Sequence, residues 1–265
     1  MTLRAGVAGQ PIAHSLSPLI HNAWITAAGL DADYRAYGPT DAAEFDTLAA
    51  KGRAGRLRGL NVTAPFKEQA LALADEASVA ARTCGSANLL VFEAGRVRAD
   101  STDGAGLKAA LAEQSPRLQL HDQMAVVLGA GGAARAAVVA LKTAGARVGV
   151  LNRTVARAER LAAQLGAMVV DAGALDDAAL VVNALAVPPD IDMSRLSQTA
   201  ILMDMTYRPL ITPFLAQGRA RGLVTVDGLA MLIGQARPSF RALFGLEPPT
   251  VDVRALALRE LGETE

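Results

Sequence analysis

The sequence lacks most of the residues that extracellular, metal-binding or nucleic-acid-binding proteins depend on. It has a single cysteine, Cys84, which excludes an internal disulfide and a cysteine-rich metal site. Aromatic residues make up only 4% of the chain, and 26 basic residues balance 26 acidic ones, so there are few stacking platforms and no net field for a polyanion. We therefore expect no metal and no nucleic-acid partner.

Long apolar runs are also missing. The first fourteen residues contain no unbroken apolar stretch of the kind found in signal peptides, and no run approaches the ~20 apolar residues that a membrane helix needs. A free cysteine is compatible with a reducing compartment. These features predict a cytoplasmic protein without a membrane partner. We further expect a monomer or a homodimer.

Lysine is scarce as well. Of the 26 basic residues 22 are arginine, and the only lysines are Lys51, Lys67, Lys108 and Lys142. Where this chain needs a generic positive charge it uses arginine. A lysine inside a polar motif is therefore more informative here than in an average sequence.

What is present is typical of an α/β protein. The chain is 265 residues long and 51% hydrophobic, enough for two modest domains with their own cores. Short β-like runs alternate with helical stretches over the first hundred residues, and Ser17-Pro18 predicts a helix start with Ser17 as the N-cap and Gly29 as the stop. The predicted strands of this part are Leu3–Ala8, Tyr34–Tyr37, Leu60–Thr63, Asn88–Phe92 and Val97–Ala99.

From residue 104 the pattern becomes a regular alternation of strand and helix. A strand at Met124–Leu128, a helix at Ala133–Ala144 and a strand at Arg147–Leu151 form a βαβ unit, and the alternation continues to residue 226. We expect a Rossmann-like doubly wound domain over 104–226. The second domain is then an α/β domain built from 1–103 and the helical segment 227–265.

A glycine-rich turn lies between the first strand and the first helix of that unit. Gly129-Ala130-Gly131-Gly132-Ala133-Ala134 matches G-x-G-x-x-A in its required position after an apolar strand. Residues without side chains let the backbone approach a pyrophosphate, and the N–H groups at the helix start bind its charge. The turn predicts a dinucleotide site that includes Gly129, Ala130, Gly131, Gly132 and Ala133.

The end of the second strand indicates which dinucleotide is bound. An NAD site usually carries a carboxylate there for the ribose 2′-hydroxyl, whereas this chain has Asn152-Arg153-Thr154, with Arg157 one turn into the next helix. A guanidinium can form paired hydrogen bonds with a 2′-phosphate. We therefore favour NADP over NAD; the alternative is that both arginines are ordinary surface charges.

Several polar motifs, in order along the chain, resemble those of the shikimate dehydrogenase family. The resemblance extends over nearly the whole chain, since matching C-terminal motifs run from Asp204 to Pro209 and from Asp227 to Gln235. The N-terminal motifs are G-x-P-x-x-H-S-x-S-P-x-x-H-N at Gly9–Asn22, N-V-T-x-P-x-K at Asn61–Lys67, a G-A-x-N-T counterpart at Gly85–Leu89, and an N-T-D-x-x-G counterpart at Ser101–Gly106.

This resemblance implies an NADP-dependent oxidoreductase that reversibly reduces 3-dehydroshikimate to shikimate on the route to chorismate and the aromatic amino acids. The resemblance also implies which residues line the substrate cleft, and hydroxyl and amide side chains suit a substrate with a carboxylate and ring hydroxyls. The implied substrate-binding residues are Ser15, Ser17, Thr63, Asn88, Tyr207 and Gln235, and Met205 and Gly228 resemble positions that contact the nicotinamide.

Lys67 and Asp103 are the candidate catalytic residues. Reduction of a ketone leaves an alkoxide that must gain a proton, which lysine can supply and arginine cannot. In a chain that prefers arginine, a lysine at this motif position supports that role. Asp103 would hydrogen-bond Lys67 and a substrate hydroxyl. For His14 and His21 we expect structural roles.

Two departures from the family pattern keep alternatives open. Leu89 stands where the family usually has threonine, and the loop after Asn183 lacks the family's polar-glycine-methionine ending. A shikimate dehydrogenase-like paralogue with a different substrate preference, such as quinate, is therefore an alternative. A non-catalytic shikimate-sensing domain is a further one, although Lys67, Asp103 and the glycine turn are all retained.

Overall fold

Two six-stranded sheets organise the chain, which the computed structural model describes from residue 2 to residue 263. One unit is formed by the chain up to Thr102 together with the segment from Gln235 onward, and the other by Asp103–Gly234. The sequence places these divisions after residues 103 and 226. The structure places the second one later because Ala230 and Met231 are buried in the core of the second unit.

The first hundred residues form six strands and four helices. In chain order they are β1 (Leu3–Ala8), α1 (Ser17–Ala27), β2 (Ala32–Tyr37), α2 (Ala42–Arg53), β3 (Gly59–Val62), α3 (Lys67–Ala72), β4 (Glu76–Ala77), α4 (Val79–Cys84), β5 (Leu89–Glu93) and β6 (Arg96–Asp100). Local chemistry explains several of these bounds. The Asp41 side chain caps α2 by accepting from the Glu44 N–H, and Ala94 and Gly95 make the tight β5–β6 turn with positive φ angles.

The second unit alternates strands and helices. Its elements are α5 (Asp103–Gln114), β7 (Met124–Leu128), α6 (Gly132–Thr143), β8 (Arg147–Leu151), α7 (Val155–Leu165), β9 (Met168–Val169), β10 (Ala178–Asn183), β11 (Ile201–Asp204), α8 (Pro213–Ala220) and β12 (Val224–Val226). Short 3-10 turns lie at Ala172–Leu175 and Met193–Arg195. Helix α9 (Gly228–Phe244) then leads back to the first unit, which ends with α10 (Val253–Leu261).

The first sheet has the strand order β2-β1-β3-β5-β6-β4. Strand β5 is antiparallel to β3 and β6, while the β1–β2, β1–β3 and β4–β6 pairs are parallel. The end of β1, the end of β3, the start of β5 and the end of β6 therefore lie at the same edge of the sheet. One face is packed by a core that includes Phe45, Leu60, Phe66 and Leu90.

The second sheet is entirely parallel, with the order β12-β11-β10-β7-β8-β9. Counted from β7 within this unit, that is the 3-2-1-4-5-6 order of doubly wound dinucleotide-binding folds. Separate apolar clusters cover its two faces, one containing residues of α5, α6 and α7 and the other residues of α8. The expected α/β class with a Rossmann-like sheet is confirmed.

Most predicted elements are confirmed, but the predicted N-cap of α1 is wrong. The N-cap position is Leu16, and the helix begins at Ser17 itself, which forms no side-chain cap. The reason is local, since the Ser17 N–H donates to the Ser15 hydroxyl at 3.3 Å and Leu16 already has helical backbone angles. Gly29 follows the helix with φ +63°, as expected of a stop.

Residues 2–263 contain neither a membrane-spanning helix nor a cluster of metal ligands. None of the helices there combines the length and the apolar character needed to cross a bilayer. Across the same residues, no three His, Cys, Asp or Glu side chains are grouped so that they could hold a metal ion.

Candidate active site

The polar loops of the first unit meet at one edge of its sheet. They follow β1 and β3, precede β5 and follow β6, and backbone hydrogen bonds tie them together. The Gln10 N–H donates to the Ala64 carbonyl at 3.0 Å, the Ala87 N–H to the Lys67 carbonyl at 2.9 Å and the Asn88 N–H to the Asp100 carbonyl at 3.0 Å. The motifs that are far apart in the sequence therefore form one surface.

Gly9 shows how closely these loops approach each other. A Cβ at this position would lie 2.3 Å from the Thr63 Cγ2 atom, so a larger residue would push the two loops apart. Thr63 is half-buried at the end of β3. The loop that Gly9 opens carries Ser15, which is half-buried, and leads to Ser17, which is 5% exposed.

Lys67 is the first residue of α3, and its side chain is half-buried. Its carbonyl accepts from the N–H of Ala87, the residue before Asn88. This hydrogen bond keeps the backbone of Lys67 close to that of Asn88. The structure thus places Lys67 at the polar edge of the first sheet. Asp103 is the first residue of α5 in the second unit and is 8% exposed, and Tyr207 lies half-buried after β11 in that unit.

Asn88 and Gln235 are brought together although 147 residues separate them. The Asn88 Nδ2 atom donates to the Gln235 Oε1 atom at 3.3 Å, and both side chains are buried. Thr102 contacts both, with its hydroxyl 3.0 Å from Asn88 Nδ2 and 3.2 Å from Gln235 Oε1. Gln235 opens the returning segment of the first unit, so helix α9 completes this site.

Sequence reasoning missed Thr102, Asn61 and Ser239, which are buried and bonded to these residues. Asn61 could have been found, because it lies in a strand whose four residues are all buried, and a buried amide needs specific partners. Thr102 lies in the same motif as Asp103. Ser239 carries no local signal, since its role depends on where α9 packs.

The glycine turn of the second unit fits an anionic cofactor. Gly129 has φ +110°, which a residue with a side chain rarely adopts, and Gly131 is the N-cap of α6 without any side-chain cap. The first turn of α6 contains no acidic residue. Uncapped N–H groups at a helix start, with the positive end of the helix dipole, bind phosphate. Ala130 and Ala133 flank these glycines with side chains too small to obstruct the approach.

The end of β8 is open to solvent and positively charged. Arg153, Thr154 and Arg157 are exposed, and Asn152 holds the turn by donating from Nδ2 to the Thr154 carbonyl at 2.9 Å. Within residues 2–263 neither arginine is paired with a carboxylate. Both guanidinium groups are therefore available for an anion at the edge where β7 and β8 end.

The loops after β10, β11 and β12 lie at the same edge as the glycine turn. The Ala184 N–H donates to the Leu128 carbonyl at 3.0 Å, and Leu185 lies close to Gly129. Gly228 starts α9 where a Cβ would lie 2.5 Å from the Thr206 carbonyl oxygen, so only glycine fits. Met205 is half-buried, and its N–H donates to the Asn183 carbonyl at 3.0 Å.

Asp227 fixes the start of α9. One of its carboxylate oxygens accepts from the Ala230 N–H at 2.9 Å, and the other accepts from the Gln114 amide at 2.8 Å. The Gln114 Oε1 atom in turn accepts from the Asp227 N–H at 2.9 Å. This reciprocal pair holds Gly228 in place.

Leu89, the first departure from the family pattern, is 1% exposed in β5. Its side chain lines a cavity of about 280 Å³ together with Val91, Arg98 and Ala242. The departure therefore alters the wall of a cavity that is lined by apolar and charged side chains and includes Ala242 of α9.

His21 and Tyr34 form a buried aromatic pair below α1. Burial lowers the pKa of His21 to about 3, and it raises the pKa of Tyr34 well above its ordinary value. Both rings are therefore neutral around pH 7. The expectation that His21 has a structural role agrees with its complete burial, whereas His14 is exposed.

Known proteins resemble this chain over almost its whole length. A family model described as the shikimate dehydrogenase substrate binding domain matches residues 7–90, and one described as shikimate / quinate 5-dehydrogenase matches residues 110–202. The chain is 52% identical over 273 residues to the shikimate dehydrogenase (NADP(+)) of Caulobacter vibrioides strain NA1000 / CB15N, covering 97% of this chain and 95% of that protein.

Solved structures show the same fold. The shikimate 5-dehydrogenase of Thermus thermophilus, in complex with NADP(H) and shikimate, is 36% identical with a TM-score of 0.90, covering 97% of this chain and 99% of that one. The quinate dehydrogenase of Corynebacterium glutamicum, in complex with NAD, is 31% identical with a TM-score of 0.88, covering 97% and 99%.

Proposed function

The chain belongs to the shikimate dehydrogenase family, and on that premise we propose that it catalyses the NADP-dependent, reversible reduction of 3-dehydroshikimate to shikimate. The observation that carries the proposal is the polar edge of the first sheet, where Thr63, Lys67 and Asn88 lie on hydrogen-bonded loops. The reaction would serve the biosynthesis of chorismate and the aromatic amino acids.

The substrate-binding residues would contact different groups of the substrate according to their chemistry. Hydroxyl groups suit a carboxylate, which accepts hydrogen bonds from them, whereas amide groups can both donate to and accept from ring hydroxyls. We assign the hydroxyl role to Ser15, Ser17, Thr63 and Tyr207 and the amide role to Asn88 and Gln235.

Lys67 would act as the general acid in the direction of reduction. Its ammonium would donate a proton from Nζ to the oxygen of the former ketone, and in the reverse direction the amine would take the proton back. Asp103 would accept a hydrogen bond from Lys67 and from a substrate hydroxyl, and so orient both.

The cofactor would lie at the carboxyl edge of the second sheet, at the switch point between β7 and β10. The pyrophosphate would bind the turn of Gly129, Ala130, Gly131, Gly132 and Ala133. When bound, NADP supplies the hydride acceptor and NADPH the hydride donor.

The two ends of the cofactor would bind different loops. Asn152, Arg153, Thr154 and Arg157 would hold the 2′-phosphate, since guanidinium groups form charge-assisted hydrogen bonds with phosphate oxygens. Met205 and Gly228 would contact the nicotinamide.

A second candidate is oxidation of quinate, for which the similarity to a quinate dehydrogenase and the leucine at position 89 are the specific observations. We favour shikimate because the shikimate dehydrogenase relative is 52% identical to this chain. A sensor without catalysis is disfavoured because Lys67, Asp103 and the open glycine turn are all present.

We further propose a cytoplasmic enzyme, monomeric or homodimeric, that binds neither nucleic acid nor membrane.

One assay tests the proposal. Purified protein is supplied with shikimate or quinate, each with NADP or NAD, and reduced nicotinamide is followed by its absorbance at 340 nm. We expect kcat/KM to be highest for shikimate with NADP. A higher value for quinate would transfer the assignment to the quinate reaction, and binding of shikimate without turnover would favour the sensor.

A further inference from the structure

Behind Asn88 and Gln235 lies a set of hydrogen-bonded side chains to which the proposed function assigns no role. It consists of Tyr34, Asn61, Thr102 and Ser239, which we call the polar relay. Tyr34 is 1% exposed, Asn61 5%, Thr102 3% and Ser239 0%. Buried groups of this kind have to be bonded to one another, and the pattern of their bonds determines which way each amide points.

The orientation of Asn88 is determined by a backbone group. The Thr102 N–H, which can only donate, lies 2.7 Å from one side-chain atom of Asn88, so that atom is the oxygen Oδ1. The nitrogen Nδ2 therefore faces the Thr102 hydroxyl at 3.0 Å and the Gln235 side chain at 3.3 Å.

This orientation determines that of Gln235 in turn. Because Asn88 Nδ2 can only donate, the Gln235 atom that faces it must be the acceptor Oε1. The Thr102 hydroxyl lies 3.2 Å from the same oxygen and can donate to it. The Gln235 nitrogen Nε2, a donor, is therefore the end that points away from Asn88 and Thr102.

Asn61 is oriented by a second backbone group. The Asn88 carbonyl can only accept and lies 3.2 Å from Asn61 Nδ2, whose other proton is donated to the Ser239 hydroxyl at 2.9 Å. Asn61 Oδ1 accepts from the Tyr34 hydroxyl at 2.8 Å. Burial raises the pKa of Tyr34, so this hydroxyl keeps its proton and remains a donor.

Ser239 links the two halves of the relay. It lies one helical turn after Gln235 in α9, and its hydroxyl is 3.0 Å from the Gln235 carbonyl and 3.2 Å from the Thr102 hydroxyl. The same hydroxyl accepts from Asn61. Ser239 therefore connects β3, the residues after β6 and the part of α9 that belongs to the first unit.

We propose that the polar relay positions Asn88 and Gln235 for substrate binding. The proposal rests on the proposed function, which assigns these two residues to substrate binding. The relay residues act through Asn88 and Gln235 and are therefore positioning residues.

The first test removes single hydroxyl groups far from the reacting atoms. Tyr34→Phe deletes the donor to Asn61, and Tyr37→Phe is a matched control in the same strand. We expect Tyr34→Phe to raise KM for shikimate about fivefold, the value of one modest hydrogen bond, with kcat and KM for NADP nearly unchanged. Ser239→Ala should have an equal or larger effect in the same direction.

A purely structural role predicts different kinetics. In that case Tyr34→Phe would match Tyr37→Phe, or kcat and both KM values would worsen together in step with a lower melting temperature. Either result would overturn the relay as a positioning device.

The second test addresses the Gln235 oxygen that Asn88 and Thr102 contact. Gln235→Glu keeps an acceptor at this position, whereas Gln235→Met removes it. We expect the NMR signal of the Asn88 side-chain amide to shift less in Gln235→Glu than in Gln235→Met. Equal shifts would show that the Gln235 oxygen does not hold Asn88 and would overturn this link of the relay.

A third measurement needs no substrate and separates this proposal from the proposed function. NMR of the side-chain amide groups should show shifts for Asn61, Asn88 and Gln235 in Tyr34→Phe and none in Tyr37→Phe. Unchanged signals for Asn88 and Gln235 would overturn the relay even if the enzyme oxidises shikimate. Conversely, a protein that shows the shifts but does not oxidise shikimate would refute only the proposed function.

Discussion

The imidazole ring of His21 stacks on the phenol ring of Tyr34, with ring centroids 4.1 Å apart and planes 2° from parallel. Trp24 contacts the same imidazole edge-on at 5.7 Å. Neither ring nitrogen of His21 has a hydrogen-bond partner within residues 2–263. An imidazole held in this way is stable only while it is neutral, because protonation would place an unpaired charge in an apolar site.

The burial of His21 predicts that the folded protein loses stability as the pH falls. The pKa of His21 is about 3 in the folded protein and about 6.5 in an unfolded chain, so the unfolded state binds the proton first as pH falls. The contribution of His21 to stability is therefore complete above pH 6.5 and is lost as pH falls toward 3, by about 1.4 kcal/mol per pH unit.

The change that tests it is His21→Phe, which keeps an aromatic ring and removes the titration. Urea unfolding measured from pH 7 to pH 4 should show a smaller loss of free energy in this variant than in the unmodified protein. Phe240→Leu is the control, because it alters the same aromatic cluster without removing a titratable group, so its unfolding free energy should fall by a similar amount at every pH. Parallel curves for His21→Phe and the unmodified protein would contradict the prediction.

Lys67→Ala should lower kcat by at least about two orders of magnitude while KM for shikimate stays within several-fold, because a general acid contributes ~10²–10⁴-fold. Lys67→Arg should lose nearly as much, since arginine keeps the charge but does not release a proton. Steady-state kinetics measures both. Lys51→Ala is the control, as Lys51 is an exposed lysine in the last turn of α2. Near-normal turnover in Lys67→Ala would remove this residue from the mechanism.

Most of the fold could be predicted because its signals are local. Strands β1, β7 and β8 have the predicted bounds, since apolar runs bounded by turn residues define them. The two-residue strands β4 and β9 are too short to show a period. Helices α3 and α4, six residues each, are too short to show a clear helical period.

Less of the candidate site than of the fold could be predicted. Motifs identified Asn88 and Gln235, but the bonds that orient them join residues such as Thr102 and Ser239, which are 137 positions apart. Such pairs depend on how α9 returns to the first sheet, and no local pattern encodes that. The start of α1 also depends on a contact outside the helix, since the Ser17 N–H donates to the Ser15 hydroxyl and Leu16 takes the N-cap position.

Arg153→Ala should raise KM for NADP by tenfold or more, on the order of the loss of a charge-assisted pair of hydrogen bonds, and change KM for NAD much less. NAD lacks the phosphate that the guanidinium would bind. Kinetics with both cofactors at saturating shikimate measures the difference. Arg160→Ala provides the control, being an exposed arginine on α7, the helix that follows Arg153. An equal rise for NADP and NAD would refute the assignment of Arg153 to the 2′-phosphate.

Gly131→Ala should impair cofactor binding without impairing the fold. Gly131 has φ −93°, which alanine adopts without strain, and a Cβ there would meet no atom of the described chain within 4 Å. The space that the methyl group would fill is the space through which the backbone would approach a pyrophosphate. We expect an unchanged melting temperature without cofactor and an NADP dissociation constant raised about tenfold or more, measured by calorimetry.

Gly228→Ala provides the contrast, because its Cβ would lie 2.5 Å from the Thr206 carbonyl oxygen and 2.8 Å from the Met205 carbonyl carbon. Backbone atoms this close cannot move aside without local rearrangement, so this variant should melt at a lower temperature even without cofactor. If Gly131→Ala instead bound NADP as tightly as the unmodified protein, the pyrophosphate would not lie against Gly131. The other two glycines of the turn, Gly129 and Gly132, would then be the positions at which the backbone comes closest to the pyrophosphate.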